Sequence, residues 1–402
     1  MISKSDLKIG YLILLFIIPF FYPAYFETNL VLLKIKQLCT YAGIVYVGCT
    51  IIKNKECFKI SDYISVPVII ILSYHIWQLV SSNYNGIDIA YDLHNVLWEI
   101  MFLMILQYFI SVYGDLAIAT IANWFTCLVL FNTITVVLWT DHGISPEMNY
   151  YLLGYRYSFC IIILASIVFN GYLSLHKFDT IISARVIINV FCAAITVSII
   201  GPSTLTVGII VLFIVYNSSK SKLLKYNIAI PICCLVVPMM FQYFILAGNT
   251  NSTIKYIVEN ILGRSMTFTG RTFIWESVFE QLLQCNVLYG FGNPLAIGQD
   301  GWAISWWDST RYVTAHNQFL QTLTTAGVVA LILEFLMLIF AVIYCWKYLK
   351  SKKRALFCAA IFSMLIMMTS TIMVTVSYKE AIFVLITGLV QKNKEESRSE
   401  LI

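Results

Sequence analysis

Leu116-Ala117-Ile118-Ala119-Thr120-Ile121-Ala122-Asn123-Trp124-Phe125-Thr126-Cys127-Leu128-Val129-Leu130-Phe131-Asn132-Thr133-Ile134-Thr135-Val136-Val137-Leu138-Trp139 contains no charged residue. A run of that length crosses the ~30 Å hydrocarbon core of a bilayer as a helix. Runs of the same kind recur at approximately 9–26, 30–52, 63–80, 93–112, 156–175, 185–201, 203–217, 226–247, 317–346, 355–374 and 377–391. A backbone in lipid must pair its own amides, so each run predicts a helix. The period-two alternation of a membrane barrel is not found. The expected fold is therefore an all-α polytopic membrane protein of about twelve transmembrane helices. Composition agrees. Of 402 residues, 59% are hydrophobic and 12% charged, with a mean hydropathy of +0.81, whereas soluble domains carry roughly a quarter charged residues. No internal repeat, linker or low-complexity tract divides the chain, so residues 1–402 read as one membrane domain. The short run 203–217 follows Gly201-Pro202 and pairs with 185–201 as a hairpin that does not fully cross.

The basic residues set the expected orientation. Lys4 and Lys8 precede the first run, which lacks a small-x-small cleavage site and reads as an uncleaved span. Lys53, Lys55, Lys59, Lys177, Arg185, Lys220, Lys222, Lys225, Lys347, Lys350, Lys352, Lys353 and Arg354 fall in alternate connections, and Lys392, Lys394 and Arg398 in the tail. The opposite connections carry Asp88, Asp92, Asp141, Glu147, Glu259, Asp300 and Asp308. This positive-inside pattern puts both termini in the cytoplasm. Lys34 and Lys36 depart from it, in the outer part of the second span. The net charge of +5 gives no reason to expect nucleic acid. The cysteines lie mostly in apolar runs as small hydrophobes, and no CxxC or Cys/His pattern predicts a metal.

One connection, 248–316, is long, polar and on the non-cytoplasmic side. Within it, 252–262 reads as a short helix. Residues 271–285 read as an amphipathic helix, with Ile274, Val278 and Leu282 repeating every four residues and Phe279 and Leu283 beside them. A glycine-rich turn follows at Tyr289-Gly290-Phe291-Gly292-Asn293-Pro294, then an aromatic stretch with Trp302, Trp306, Trp307 and Tyr312. The loop closes with Ala315-His316-Asn317. Arginines are disfavoured on this side, yet Arg156, Arg264, Arg271 and Arg311 lie there. Their planar forks match phosphate or carboxylate; headgroup contacts or loop salt bridges are the plainer use. His316 is the loop's one histidine and has the chemistry to take a proton from a hydroxyl near neutral pH. On local sequence alone it is as well explained as a helix-start residue beside a capping Asn317. The tryptophans suit stacking on sugar rings and an interfacial belt equally.

Gly270-Arg271 with Trp275, Gly290-Phe291-Gly292, and His316-Asn317-Gln318-Phe319-Leu320 with Gly327 together resemble the shared C-terminal signature of bacterial O-antigen polymerases and O-antigen ligases. The motifs cover roughly 60 residues and the layout the whole chain. The resemblance implies a C-type glycosyltransferase fold that needs no metal or other cofactor. The implied substrate is an undecaprenyl-diphosphate-linked oligosaccharide, used at the periplasmic face of the bacterial inner membrane. It implies that Arg271 sits near the donor diphosphate, that Arg156 is a second catalytic arginine, and that His316 activates the acceptor hydroxyl. Asn317 would orient the acceptor or substrate and Arg264 would assist. Trp302, Trp306, Trp307 and Arg311 are expected to bind sugar. Besides membrane lipids, a chain-length regulator is the partner such a family implies. Ligases often carry a Ser/Thr-Arg motif where this chain reads Gly201-Pro202-Ser203-Thr204-Leu205-Thr206, which tilts the reading to polymerase. The rivals are a ligase that transfers the glycan to lipid A core, and a transporter or flippase of lipid-linked glycans. A transporter concentrates polar residues near the midplane, where the sequence offers only Glu99, Glu334, Lys34 and Lys36.

Overall fold

The computed structural model describes residues 4–53, 66–87, 89–141, 143–144, 150–155, 159–218, 236, 256, 275, 278–279, 282–283, 285–292, 315–349, 351–369, 379–386 and 388–389. The architecture over these residues is helical. Helix α1 (Lys4–Ile17) runs into two 3-10 turns, Ile18–Phe21 and Ala24–Thr28, where Pro19 and Pro23 end the regular helix. The helices α2 (Leu30–Lys53), α3 (Val66–Tyr84), α4 (Ile89–Tyr113) and α5 (Asp115–Leu138) follow. A two-stranded antiparallel turn pairs β1 (Tyr150–Tyr151) with β2 (Gly154–Tyr155). Then come α6 (Phe159–Phe178), α7 (Ala184–Ile200), α8 (Ser203–Ser218), α9 (Gln318–Tyr348) and α10 (Ser351–Met368). A C-terminal helical stretch occupies 379–386 and 388–389.

Six of these helices are long and apolar enough to cross a membrane. Their bounds agree closely with the apolar runs of the sequence; the run 226–247 lies almost wholly outside the described residues. Local chemistry accounts for the ends. The Asn29 side chain accepts from the Val31 and Leu32 amides at 3.0 and 3.2 Å and starts α2. Gly201, at φ 75°, closes α7 in the left-handed conformation, and Pro202 leads directly into α8. That is the tight helical hairpin expected between 185 and 217.

Helix α6 is buried along nearly its whole length and forms the centre of the core, against α5, α7 and α10. The peripheral helices turn Leu38, Phe131, Ile134, Val137, Phe191 and Ile214 outward, as a lipid-facing surface requires. Buried polar side chains bond across neighbouring helices here. Ser166 donates to Asn189 at 2.7 Å, and Asn170 and Asn189 both donate to Thr126, at 2.9 and 3.2 Å. These bonds tie α5, α6 and α7 with no charge. Small residues bring α8 onto α10, where the Ser363 hydroxyl donates to the Gly208 carbonyl at 2.6 Å.

The sequence predicts a single straight span over 317–346, and here the structure differs. Gly327 adopts φ 76°, ψ −174° inside α9. A straight helix rises ~1.5 Å per residue, so positions twelve and sixteen apart would be about 18 and 24 Å apart. Instead the Thr322 hydroxyl meets Glu334 at 2.7 Å, and the rings of Phe319 and Phe335 stack with centroids 4.9 Å apart. The chain doubles back at Gly327. A short arm, 318–326, lies against a long arm, 328–348, and the long arm alone has the length of a span.

The fold-back leaves backbone groups that need partners, and the end of the long loop supplies them. The Phe291 amide donates to the Thr324 carbonyl at 2.7 Å and the Val328 amide to the Val287 carbonyl at 2.9 Å. From α3, Trp77 Nε1 donates to the Ala326 carbonyl at 2.9 Å, and Ser81 Oγ donates to the carbonyls of Thr325 (3.1 Å) and Tyr289. Tyr289 stacks on Trp77 and Tyr84. The approach is so close that a Cβ at Gly290 would collide with the Thr324 carbonyl, and one at Gly327 with the Leu288 carbonyl. This is the physical reason for glycine at 290 and 327. The region Gly327 occupies is almost closed to other residues and costs them about 1–3 kcal/mol before any clash. Gly327→Ala is therefore expected to destabilise the protein by at least about 3 kcal/mol. A lowered thermal unfolding midpoint in detergent checks this; a midpoint unchanged from wild type contradicts it.

Candidate active site at the folded-back helix

His316 stands at the head of the short arm with φ 48°. A side chain other than glycine in the left-handed region costs about 1–2 kcal/mol, and such strain concentrates at sites where geometry matters. The next residue explains how the strain is held. Asn317 is fully buried, its Oδ1 accepts from the Leu320 amide at 3.1 Å, and its Nδ2 donates to the Thr369 carbonyl at 2.9 Å. Asn317 thus caps the short arm and pins it to the end of α10. These two bonds fix the backbone beside His316. On the other side, Ala315 accepts from Trp275 Nε1 at 2.8 Å and donates its amide to Gln321 Oε1 at 3.0 Å.

Trp275 belongs to the stretch predicted as an amphipathic helix. Trp275, Val278 and Leu282 are buried together with Ala315 and Leu320 in a small separate core. Phe279 and Leu283, placed beside the apolar stripe in the sequence, are exposed instead, at 42% and 86%. The inward face is therefore centred on Trp275, and it packs on the arm that carries His316. Burial pushes the Cys285 thiol of this segment up from its ordinary value, which keeps it a poor nucleophile.

Beyond the short arm lies a chain of buried polar groups. Gln318 Nε2 donates to Thr322 Oγ1 at 3.1 Å, and Thr322 donates to Glu334 Oε2 at 2.7 Å. Lys379 Nζ donates to Glu334 Oε1 at 3.0 Å, with both side chains essentially buried. Glu334 therefore clamps the two arms of α9 to the C-terminal helical stretch. Beside it, His75 Nε2 lies 2.9 Å from Glu380 Oε1. The sequence offers few interior charges, but the structure brings Glu334, Lys379, Glu380 and His75 together. The signal was Lys379-Glu380 within a run expected to be a span: charges there are costly and require partners.

Of the residues singled out from the sequence, His316 and Asn317 are adjacent at the start of α9. Arg156, Arg264, Arg271, Trp302, Trp306, Trp307 and Arg311 lie outside the described residues. The approach to Arg156 is described. The β1–β2 turn is held by Asn132 Oδ1, which accepts from the Leu153 amide at 3.0 Å, and by the Tyr25 amide donating to the Leu152 carbonyl at 3.2 Å.

A polytopic membrane protein with a strained histidine at the tip of a folded-back helix is the class that the geometry defines. Residues 184–335 match the family model described as O-antigen ligase. The match covers well under half of the chain, and over that segment the chain is similar to the O-antigen ligase family. The matched segment takes in α7, α8, Arg264, Arg271, the Gly290 turn and His316, and ends just beyond Glu334. Arg156 lies outside it. No curated protein and no solved structure matches the chain significantly.

Removing one partner of a buried ion pair costs about 3–5 kcal/mol, whereas replacing both with apolar groups is often close to neutral. Lys379→Met is thus expected to lower the unfolding midpoint sharply, and the double variant Lys379→Met with Glu334→Leu to recover most of the loss. Additive losses in the double variant would show that the clamp is not a coupled pair.

Proposed function

We propose that this protein joins lipid-linked oligosaccharide repeat units by glycosyl transfer, as a polysaccharide polymerase at the periplasmic face of the inner membrane. The observation that carries this reading is that the matched family segment contains both Arg271 and His316, with His316 on a strained, doubly pinned backbone. The donor is an undecaprenyl-diphosphate-linked glycan. The acceptor hydroxyl attacks the anomeric carbon and forms the new glycosidic bond, while the bond from that carbon to the diphosphate oxygen breaks. His316 takes the hydroxyl proton. Arg271 and Arg156, with Arg264 assisting, stabilise the charge that grows on the departing diphosphate, so no metal is assigned to this step. Trp302, Trp306, Trp307 and Arg311 bind the sugars. The basic connections support an orientation with both termini in the cytoplasm and about twelve spans. A length-regulating protein is the partner this reading calls for.

The description of the matched family favours a second reading, ligation of the finished glycan to lipid A core. The absence of an arginine in Ser203-Thr204-Leu205-Thr206 supports polymerisation instead. A chain lacking polymerase activity leaves core capped by one repeat unit; one lacking ligase activity leaves it bare. His316→Ala is expected to lower the rate by about 100-fold to 10,000-fold, and Arg271→Ala to abolish long chains at normal protein levels. The readout is the ladder made from a defined lipid-linked repeat unit by the reconstituted protein. An unaltered ladder from both variants defeats the assignment.

A further inference from the structure

A second group of interior side chains stands beside the Glu334 clamp and has no part in the proposed transfer. His75 of α3, Glu99 of α4 and Glu380 of the C-terminal helical stretch each offer one ligand atom within 4.8 Å of the others. His75 and Glu380 are 5% and 1% exposed. Glu380 Oε2 and Glu99 Oε2 are buried and accept from no N–H or hydroxyl donor of the protein, while the two carboxyl groups lie within hydrogen-bond reach of each other. An unsatisfied carboxylate oxygen in an apolar interior is costly, and two in one place point to something held between them.

The hydrogen-bond pattern sharpens this. Gln78 donates its amide nitrogen to the Tyr74 hydroxyl at 3.3 Å, which turns its Oε1 to His75 Nδ1 at 3.2 Å. With the Gln78 amide in this orientation, Nδ1 is the ring nitrogen that carries a hydrogen. In the neutral ring the lone pair then sits on Nε2, and it faces Glu380 Oε1 at 2.9 Å. Two acceptors at that separation need a cation or a proton between them. Ligands bonded at ~2.0–2.2 Å to one ion stand about 3 Å apart, so this pair is already spaced for shared coordination. A second-shell partner on the other ring nitrogen is what metal-bound histidines usually have.

We propose that His75, Glu99 and Glu380 bind one divalent transition ion. One imidazole and two carboxylates suit the manganese-to-zinc series rather than calcium or magnesium. Lys379 is engaged by Glu334. Lys36, over the rings of Tyr22 and Trp98 at 5.6 and 5.1 Å, approaches Glu99 from α2. These two ammonium groups face three acids, so the cluster remains net negative. The ion ties α3, α4 and the C-terminal helical stretch into one wall, against which Glu334 clamps α9. This role is independent of the glycosyl-transfer reading.

The test is metal uptake by the full-length protein, purified in detergent, stripped with EDTA and titrated with Co²⁺ or Mn²⁺. Wild type is expected to take up one ion per chain, and its thermal unfolding midpoint to rise on refilling. His75→Ala and Glu380→Gln are expected to weaken uptake at least tenfold. His176→Ala, at an exposed histidine paired with Asp115, is expected to keep it. If stripped wild type takes up no ion, protons alone hold the cluster and the proposal is overturned. Uptake that persists undiminished in Glu380→Gln and His75→Ala also overturns it. The wild-type titration decides the matter even if a variant fails to fold.

Discussion

Everything near the candidate site depends on one backbone conformation, that of Gly327. A chain that turns back inside a membrane domain exposes amides and carbonyls that lipid cannot satisfy. The turn is possible only because partners reach it from two directions. Trp77 and Ser81 approach from α3, and the backbone at 287 and 291 approaches from the long loop. Only glycine fits at 290 and 327, because the two backbones nearly touch. The loop and the membrane helices are thus one folding unit at this point, and the short arm with His316 exists because of that contact.

The interior shows two ways to bury polarity. Around α6 it is neutral: Ser166, Asn170, Asn189 and Thr126 exchange hydrogen bonds and tie helices without charge. Around α9 it is ionic, with Glu334 shared between Thr322 and Lys379. The ionic kind is the more expensive, since charges lose their water on burial and regain it only in part through each other. Its position, against the arm that presents His316, fits a need for one fixed arrangement rather than for raw stability.

Much of this was legible in the sequence. Uncharged runs such as 116–139 gave helices with bounds close to those observed, because the demand for paired amides in lipid leaves few alternatives. Asn317 was legible as a cap, and Trp275 with Gly290 and Gly327 as parts of one signature. The fold-back was not. Hydropathy averages over a window, and a single glycine with positive φ in an apolar run leaves no trace in it. The cluster of His75, Glu99 and Glu380 was equally hidden, since Glu380 lies some three hundred residues from the other two and only its neighbour Lys379 hinted at interior charge. Within the stretch 271–285 the stripe residues Val278 and Leu282 are buried as the repeat predicts, while the flanking Phe279 and Leu283 are exposed and Trp275 takes the inward place beside them.

The chain is fastened to α9 just before residue 293 and just after residue 314. Gly292 follows the turn that locks onto the hairpin, and Ala315 is held by Trp275 and Gln321. The segment 293–314 therefore begins and ends at fixed points of one scaffold. The histidine next to the second of these points is therefore positioned by bonds to α9 and Trp275 that do not run through the intervening sequence.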